Sequence, residues 1–226
     1  MITDYSQIQK LFAELDGRIS GKIAVYMIGG GALMKREMKD QTKDIDIVVE
    51  TEREYDTVLN AFAGMGFFSE IPDGSYGRLS IPGILKRGGT RVDLFCREVC
   101  GRFSLSENMK ERSVRDDVRL KNIDLFVCSP EDIFLFKTMT EREGDYDDCV
   151  AIISNKNDFE WSVILNEAQE QSGRGKAVWI TWIANRLEEF AERGMNIPVL
   201  NDMIRLADEY IAEWERDILS RNPDLK

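Results

Sequence analysis

The stretch IGGGALMKREMKDQTKDIDIVV, residues 28–49, decides how this chain is read. Its centre is Asp44-Ile45-Asp46, thirteen residues after the run Gly29-Gly30-Gly31. On a strand, successive side chains alternate in direction, so carboxylates at i and i+2 share a face. Ile45, Ile47 and Val49 then fall on the opposite face, where they can be buried. Two aspartates side by side repel unless a cation sits between them. Mg²⁺ suits that role, since it takes a few carboxylate oxygens together with substrate phosphates. The glycines upstream allow backbone amides to come close to a phosphate. Metal and phosphate together point to phosphoryl or nucleotidyl transfer.

Arg91-Val92-Asp93-Leu94-Phe95 is a further apolar run with one acid inside it, and its alternation puts Asp93 on the face of Arg91 and Phe95. With Gly-Gly, D-x-D and the later aspartate in order, the chain resembles the nucleotidyltransferase superfamily that includes DNA polymerase β. It also resembles that superfamily's small prokaryotic branch of minimal and abortive-infection-type proteins. Members of the branch often carry a later Pro-Glu-Asp, a lysine and an Arg-x-x-Asp-x-x-Asp block. Here these are Ser129-Pro130-Glu131-Asp132, Lys137 and Arg142-Glu143-Gly144-Asp145-Tyr146-Asp147-Asp148. The likeness covers roughly residues 23–153. Two positions depart from it. Gly30 stands where many relatives have serine, and Asp40 stands where many in the small branch have arginine.

The resemblance implies an α/β (α+β) fold: a nucleotidyltransferase palm with a mixed sheet flanked by helices, followed by a C-terminal helical region. The expected domains are residues 1–128 for the palm and 129–226 for the helices. It further implies a two-metal mechanism with Mg²⁺, or Mn²⁺ in its place. Asp44 and Asp46 would hold both ions, and Asp93 would complete the second metal's ligand set and help deprotonate an acceptor hydroxyl. Gly29 and Gly30 would contact the phosphates of an NTP such as ATP, with Lys43 and Lys137 as further nucleotide-binding residues. Asp145 and Asp148 would orient Lys137 or Arg142.

Composition sets the outer limits. At 226 residues the chain can bury a sizeable core as one large domain or two small ones. No apolar run approaches the roughly 20 residues that span a bilayer, and the start, MITDYSQIQ, lacks a signal-peptide layout; a cytoplasmic location is the expectation. There is no histidine. That removes every Ser-His or Cys-His relay and the commonest general base, leaving carboxylates, lysines or metal. The four cysteines, Cys96, Cys100, Cys128 and Cys149, contain no C-x-x-C pair. Cys96 and Cys128 read as small buried thiols. Net charge is −11, with 16 basic and 17 acidic residues over 1–113 against 14 and 24 over 114–226. Such a surface opposes extended contact with a DNA backbone. Lys35, Arg36, Lys39 and Lys43 form the basic group nearest the proposed site and are expected, together, to face a triphosphate.

Periodicity supplies the elements. Ser6-x-x-Gln9 has the form of a capping box, and Ile8, Leu11, Phe12 and Leu15 make a helical stripe. Strands are expected at 23–28, 44–49, 67–71, 77–81, 91–96 and 123–127, with Asp73-Gly74 turning between the third and fourth. A helix is expected near 32–38. Thr51-x-x-Glu54 caps another, striped by Tyr55, Val58, Leu59 and Phe62. From Pro130 the pattern is helical. Trp179, Ile183, Leu187 and Phe190 make a stripe that stops at Gly194. After Pro198 comes the stripe Leu200, Ile204, Ala207, Ile211, Trp214 and Ile218, all expected to be taken up in packing. Ser172-Gly173-Arg174-Gly175 reads as a flexible joint.

Three functions fit these residues. The first is a metal-dependent nucleotidyltransferase moving an NMP from NTP to a hydroxyl on a tRNA, a protein or a small molecule. The second is a non-catalytic nucleotide-binding or regulatory protein. The third is a toxin–antitoxin component with a protein partner on its helical half.

Overall fold

The computed structural model of the chain describes residues 1–71, 78–81, 83–155, 159–173 and 177–221. They fall into two compact units, Met1–Phe159 and Glu160–Lys226. The helical residues 130–154 fall within the first of these units. Asp73-Gly74, and Arg174 and Gly175 of the expected joint, lie outside the described residues.

The first unit is a mixed α/β structure built on a seven-stranded sheet. Its centre is β1 (Ile23–Ile28) and β2 (Ile45–Val49), which run antiparallel. β5 (Thr90–Cys96) lies parallel to β2, and β9 (Ile123–Val127) parallel to β1. β4 (Ile84–Arg87) and then β3 (Phe68–Glu70) extend the sheet beyond β5, and β8 (Val114–Arg115) closes the other edge. β6 (Glu98–Cys100) and β7 (Phe103–Ser104) pair separately. The middle strands are near-continuous apolar runs because helices cover them, so little of their length meets water. Of residues 78–81, Leu79 makes an isolated bridge to Cys100 in place of the expected strand.

Helix α1 (Tyr5–Asp16) buries Ile8, Leu11, Phe12 and Leu15, as its stripe requires. Its cap is Asp4, whose carboxylate accepts from the Ser6 amide at 2.8 Å, and not the expected Ser6-x-x-Gln9 box. Gln9 reaches across to Asp116 and Asp117 instead. Helix α2 (Gly29–Lys35) begins with the glycines themselves, three residues before the expected start. It also ends early. Glu37 adopts φ 58°, and the Met38 amide donates to the Leu33 carbonyl at 3.0 Å, a left-handed closure usually made by glycine. With no glycine there, the sequence carries no stop signal. Helix α3 (Glu52–Gly64) starts at the full Thr51–Glu54 capping box. α4 (Glu107–Arg112) and α5 (Pro130–Thr138) follow, α5 buried along its whole length, and then α6 (Glu143–Ser154). Cys100, Cys128 and Cys149 are buried, while Cys96, expected inside, is half-buried.

The second unit holds α7 (Trp161–Ser172), α8 (Trp179–Glu192) and α9 (Leu200–Arg221). The α8 stripe is buried as expected, and Gly194 closes the helix at φ 85°, with the Met195 amide donating to the Phe190 carbonyl. The α9 stripe differs. Of its residues only Ala207 is buried; Leu200, Ile204 and Ile218 are half-buried, and Ile211 and Trp214 are 42% and 55% exposed, so packing absorbs the stripe only in part. Among the described residues, no helix is long and apolar enough to cross a membrane.

Candidate active site

The sheet register gathers the carboxylates. Asp46 sits opposite Ile28 on β1 and opposite Asp93 on β5, while Asp44 immediately precedes β2 on the same face. One oxygen from each of Asp44, Asp46 and Asp93 lies within 4.8 Å of the other two. Asp93 is fully buried. Asp93 thus lies on the strand next to β2, with its carboxylate toward Asp44 and Asp46.

Gly29 explains why the glycine run stands where it does. It follows Ile28 at φ 63°, and a Cβ there would come within 2.8 Å of the Asp46 Cγ and closer still to its oxygen. The absent side chain makes room for the carboxylate. Gly30 is constrained from the other side. A Cβ there would lie 3.0 Å from the Thr42 Cβ and nearer to its hydroxyl. Serine is therefore excluded at position 30 by Thr42, which is itself buried and doubly bridged to Ile2 through the backbone. The Thr42 hydroxyl donates to the Asp44 carbonyl at 3.0 Å, fixing the approach to the D-x-D strand. Sequence reading gave Thr42 no role, because only the close approach of two distant backbones reveals it.

A cavity of about 330 Å³ opens beside the carboxylates. Gly30, Thr42, Lys43, Asp44 and Asp46 line one side, and Lys137, Arg142, Asp145 and Asp148 the other. Of the four basic residues expected to face a phosphate chain, Lys39 and Lys43 line this cavity. Lys35 and Arg36 do not. Lys35 pairs with Asp117 at 2.8 Å, and the Arg36 guanidinium donates to the Cys128 carbonyl. They leave because α2 ends at Lys35 and turns them toward the β8–β9 side. Asp40, in the position noted for arginine, is exposed and outside the cavity lining.

Lys137 is buried with its ammonium 2.7 Å from Asp145 and 2.5 Å from Asp148. Lys39 donates to Asp148 at 2.6 Å, and Arg142 to Asp145 at 2.7 Å. Burial alone would lower the Lys137 pKa, but its two carboxylate partners outweigh that and hold it above the usual lysine range. Burial would likewise raise Asp145, yet Lys137 and Arg142 bring it down to about 2. Asp46 behaves in the opposite way. Enclosure first, then the charges of Asp44 and Asp93, push its pKa well above the ordinary carboxylate value. Burial raises Asp93 too, with Arg91 working against it. Three hard oxygen donors that resist sharing negative charge match the ligand chemistry of a divalent cation. Arg91 is the residue sequence reading left without a function; its i,i+2 spacing to Asp93 was the available signal.

Residues 5–172 match the family model described as "Nucleotidyltransferase of unknown function (DUF6036)". The chain belongs to that family. The matched span covers the whole sheet, the carboxylates and both helices of the cavity wall. No curated protein matches in sequence. Among solved structures, the chain is similar to ANT(2″)-Ia in complex with adenylyl-2″-tobramycin, at 12% identity and a TM-score of 0.48, covering 75% of this chain and 97% of that one. A solution structure of the antibiotic-resistance factor ANT(2″)-Ia aligns at 14% identity and a TM-score of 0.42, covering 83% and 93%.

Proposed function

We propose that this nucleotidyltransferase-family chain moves a nucleoside monophosphate from an NTP to a hydroxyl acceptor, with Mg²⁺ bound by Asp44, Asp46 and Asp93 and Mn²⁺ able to replace it. The observation that carries the reading is the convergence of the three carboxylates beside a cavity with lysines and an arginine in its wall. The cavity accepts the triphosphate. Gly29 and Gly30 offer their backbone amides to the phosphates from the start of α2, Lys43 reaches them from the exposed rim, and Lys137 and Arg142 supply positive charge from the facing wall. Asp145 and Asp148 hold Lys137 in place, so its ammonium is set before the nucleotide arrives. When bound, divalent cations stabilise the charge on the attacking and leaving oxygens of an in-line displacement. Asp93, enclosed and raised in pKa, is the group placed to take the acceptor hydroxyl's proton. Within the superfamily, the motifs at Lys137 and Arg142–Asp148 favour the small prokaryotic branch.

The test is incubation with each α-³²P-labelled NTP, Mg²⁺ and a cell extract as acceptor pool. A defined labelled product should form, and Asp93→Ala should lower its yield by several powers of ten while NTP binding persists. NTP affinity with no labelled product from any pool, and no change on Asp93→Ala, would replace the transferase with a nucleotide-binding regulator.

A further inference from the structure

The contact between Arg91 and Asp93 bears on the order in which the site fills. β5 directs both side chains to the same face, and the guanidinium spans the carboxylate: Nε lies 2.8 Å from Oδ1 and Nη2 2.7 Å from Oδ2. Nε is also 4.0 Å from Asp44 Oδ2. The Asp93 side chain is 1% exposed and that of Arg91 18%. Both oxygens of the third carboxylate are therefore engaged by one rigid, planar cation in a bidentate, charge-assisted pair. Among the described residues, neither Asp44 nor Asp46 is bridged in this way. A divalent cation reaching Asp93 needs an oxygen lone pair at about 2.0–2.1 Å, if it is Mg²⁺. Here an N–H already points at each oxygen, and the positive charge behind it repels the newcomer.

We propose that Arg91 is the resting counter-ion of Asp93 and competes with the second divalent cation for it, so that the nucleotide-free site takes one cation, on Asp44 and Asp46. The second cation enters when a phosphate of the bound nucleotide draws the guanidinium off Asp93, a bidentate exchange of one oxyanion for another. This rests on the metal-binding reading above and goes beyond it by making the second cation conditional on nucleotide. Arg91 acts here as a positioning residue for Asp93.

The experiment is a Mn²⁺ titration read from the electron paramagnetic resonance signal of the free ion, on the full chain without nucleotide. The parent should bind one Mn²⁺ well and a second poorly. Arg91→Gln should tighten the second site on the order of tenfold or more, within the range typical of coupled sites. Arg91→Lys should fall between, because an ammonium engages one oxygen at a time. Adding a non-hydrolysable NTP should bring parent and variants together. Identical stoichiometry and affinities in parent and Arg91→Gln would overturn the proposal. So would a weakened second site, which would mean that Arg91 merely holds Asp93 in shape. Should Arg91→Gln fail to fold, the parent supplies the answer. Its Arg91 Nε–H resonance should stay in place with Mg²⁺ alone and move with Mg²⁺ and nucleotide together, and an unmoved signal sinks the idea. Asp46→Asn separates the two readings. If it binds Mn²⁺ like the parent, the metal site itself is misassigned; if it loses the first Mn²⁺ while Arg91→Gln matches the parent, only the competition fails.

Discussion

Asp46 sets the strongest expectation at the residue scale. Its folded pKa lies above the unfolded value of about 3.9, so between the two the folded state binds the proton more readily. The sign follows: its contribution to stability declines as pH rises from the unfolded value toward the folded one, and stays unfavourable above it. In the metal-free protein, Asp46→Asn removes that liability. The variant should melt higher than the parent at neutral pH, show a flatter dependence on pH, and lose the rise in melting temperature that Mg²⁺ with nucleotide gives the parent. Scanning fluorimetry across pH, with and without Mg²⁺, checks all three; a variant that still responds to metal as the parent does would contradict the assignment. The pairing of Asp44 with Asp46 was legible because a period of two needs only a strand assumption. Asp93 was legible through the resemblance, and the alternation along its strand told only which neighbours share its face. Thr42 was not, since its importance lies in the space that residue 30 leaves and not in its own chemistry.

Among the elements, α5 and α6 form the wall that the sequence described least well. α5 is buried on every side and offers no amphipathic stripe, so periodicity marks it as helical without saying which face matters. Its capping and Pro130 at the helix start were readable; the pairing of Lys137 with two acids on α6 needed the fold. Removing that lysine while keeping its bulk, as Lys137→Met, leaves Asp145 and Asp148 facing each other in an enclosed space. Arg142 and Lys39 compensate in part, so the loss should lie near the low end of the roughly 3–5 kcal/mol seen when one buried partner is deleted. Urea unfolding at neutral pH measures it. Acid gives the complementary check. Asp145, lowered to about 2, contributes stability that is present above the unfolded pKa and is lost as pH falls toward 2. That acid-sensitive share is about 2 kcal/mol, and it should shrink in Lys137→Met. Short elements were the other blind spot. β4, β6, β7, β8 and α4 are two to six residues long and carry no apolar run or motif that singled them out.

At the scale of the whole molecule, fold class was legible because one glycine turn, one D-x-D strand and one later acid fix three elements of the sheet together. The division into units was less so: residues 130–154 read as helix and fall in the first unit, and the polar run at 154–158 that precedes its end was not read as a boundary. The second unit has its own core, and two of its tryptophans should report on it differently. Trp179 is 1% exposed, so Trp179→Ala should cost about 3–5 kcal/mol. Trp214 is 55% exposed, and Trp214→Lys should stay within about 0.5 kcal/mol of the parent in chemical unfolding. Equal losses at the two positions would refute the burial difference. The same half-covered helix has a consequence in time. α9 is 22 residues long, about 33 Å of continuous backbone ladder at the usual rise, yet its two buried residues, Met203 and Ala207, sit in the first third. Beyond Ile211 the turns are sustained by propensity and by exposed pairs such as Arg221 with Asp217, which individually contribute little. Among the described residues beyond Ile211 none is fully buried, so opening there disrupts little packing. Deuterium should therefore enter the last three turns within the fraying regime, while amides around Met203 wait for the unit's core to open, giving one unbroken helix two widely separated exchange clocks.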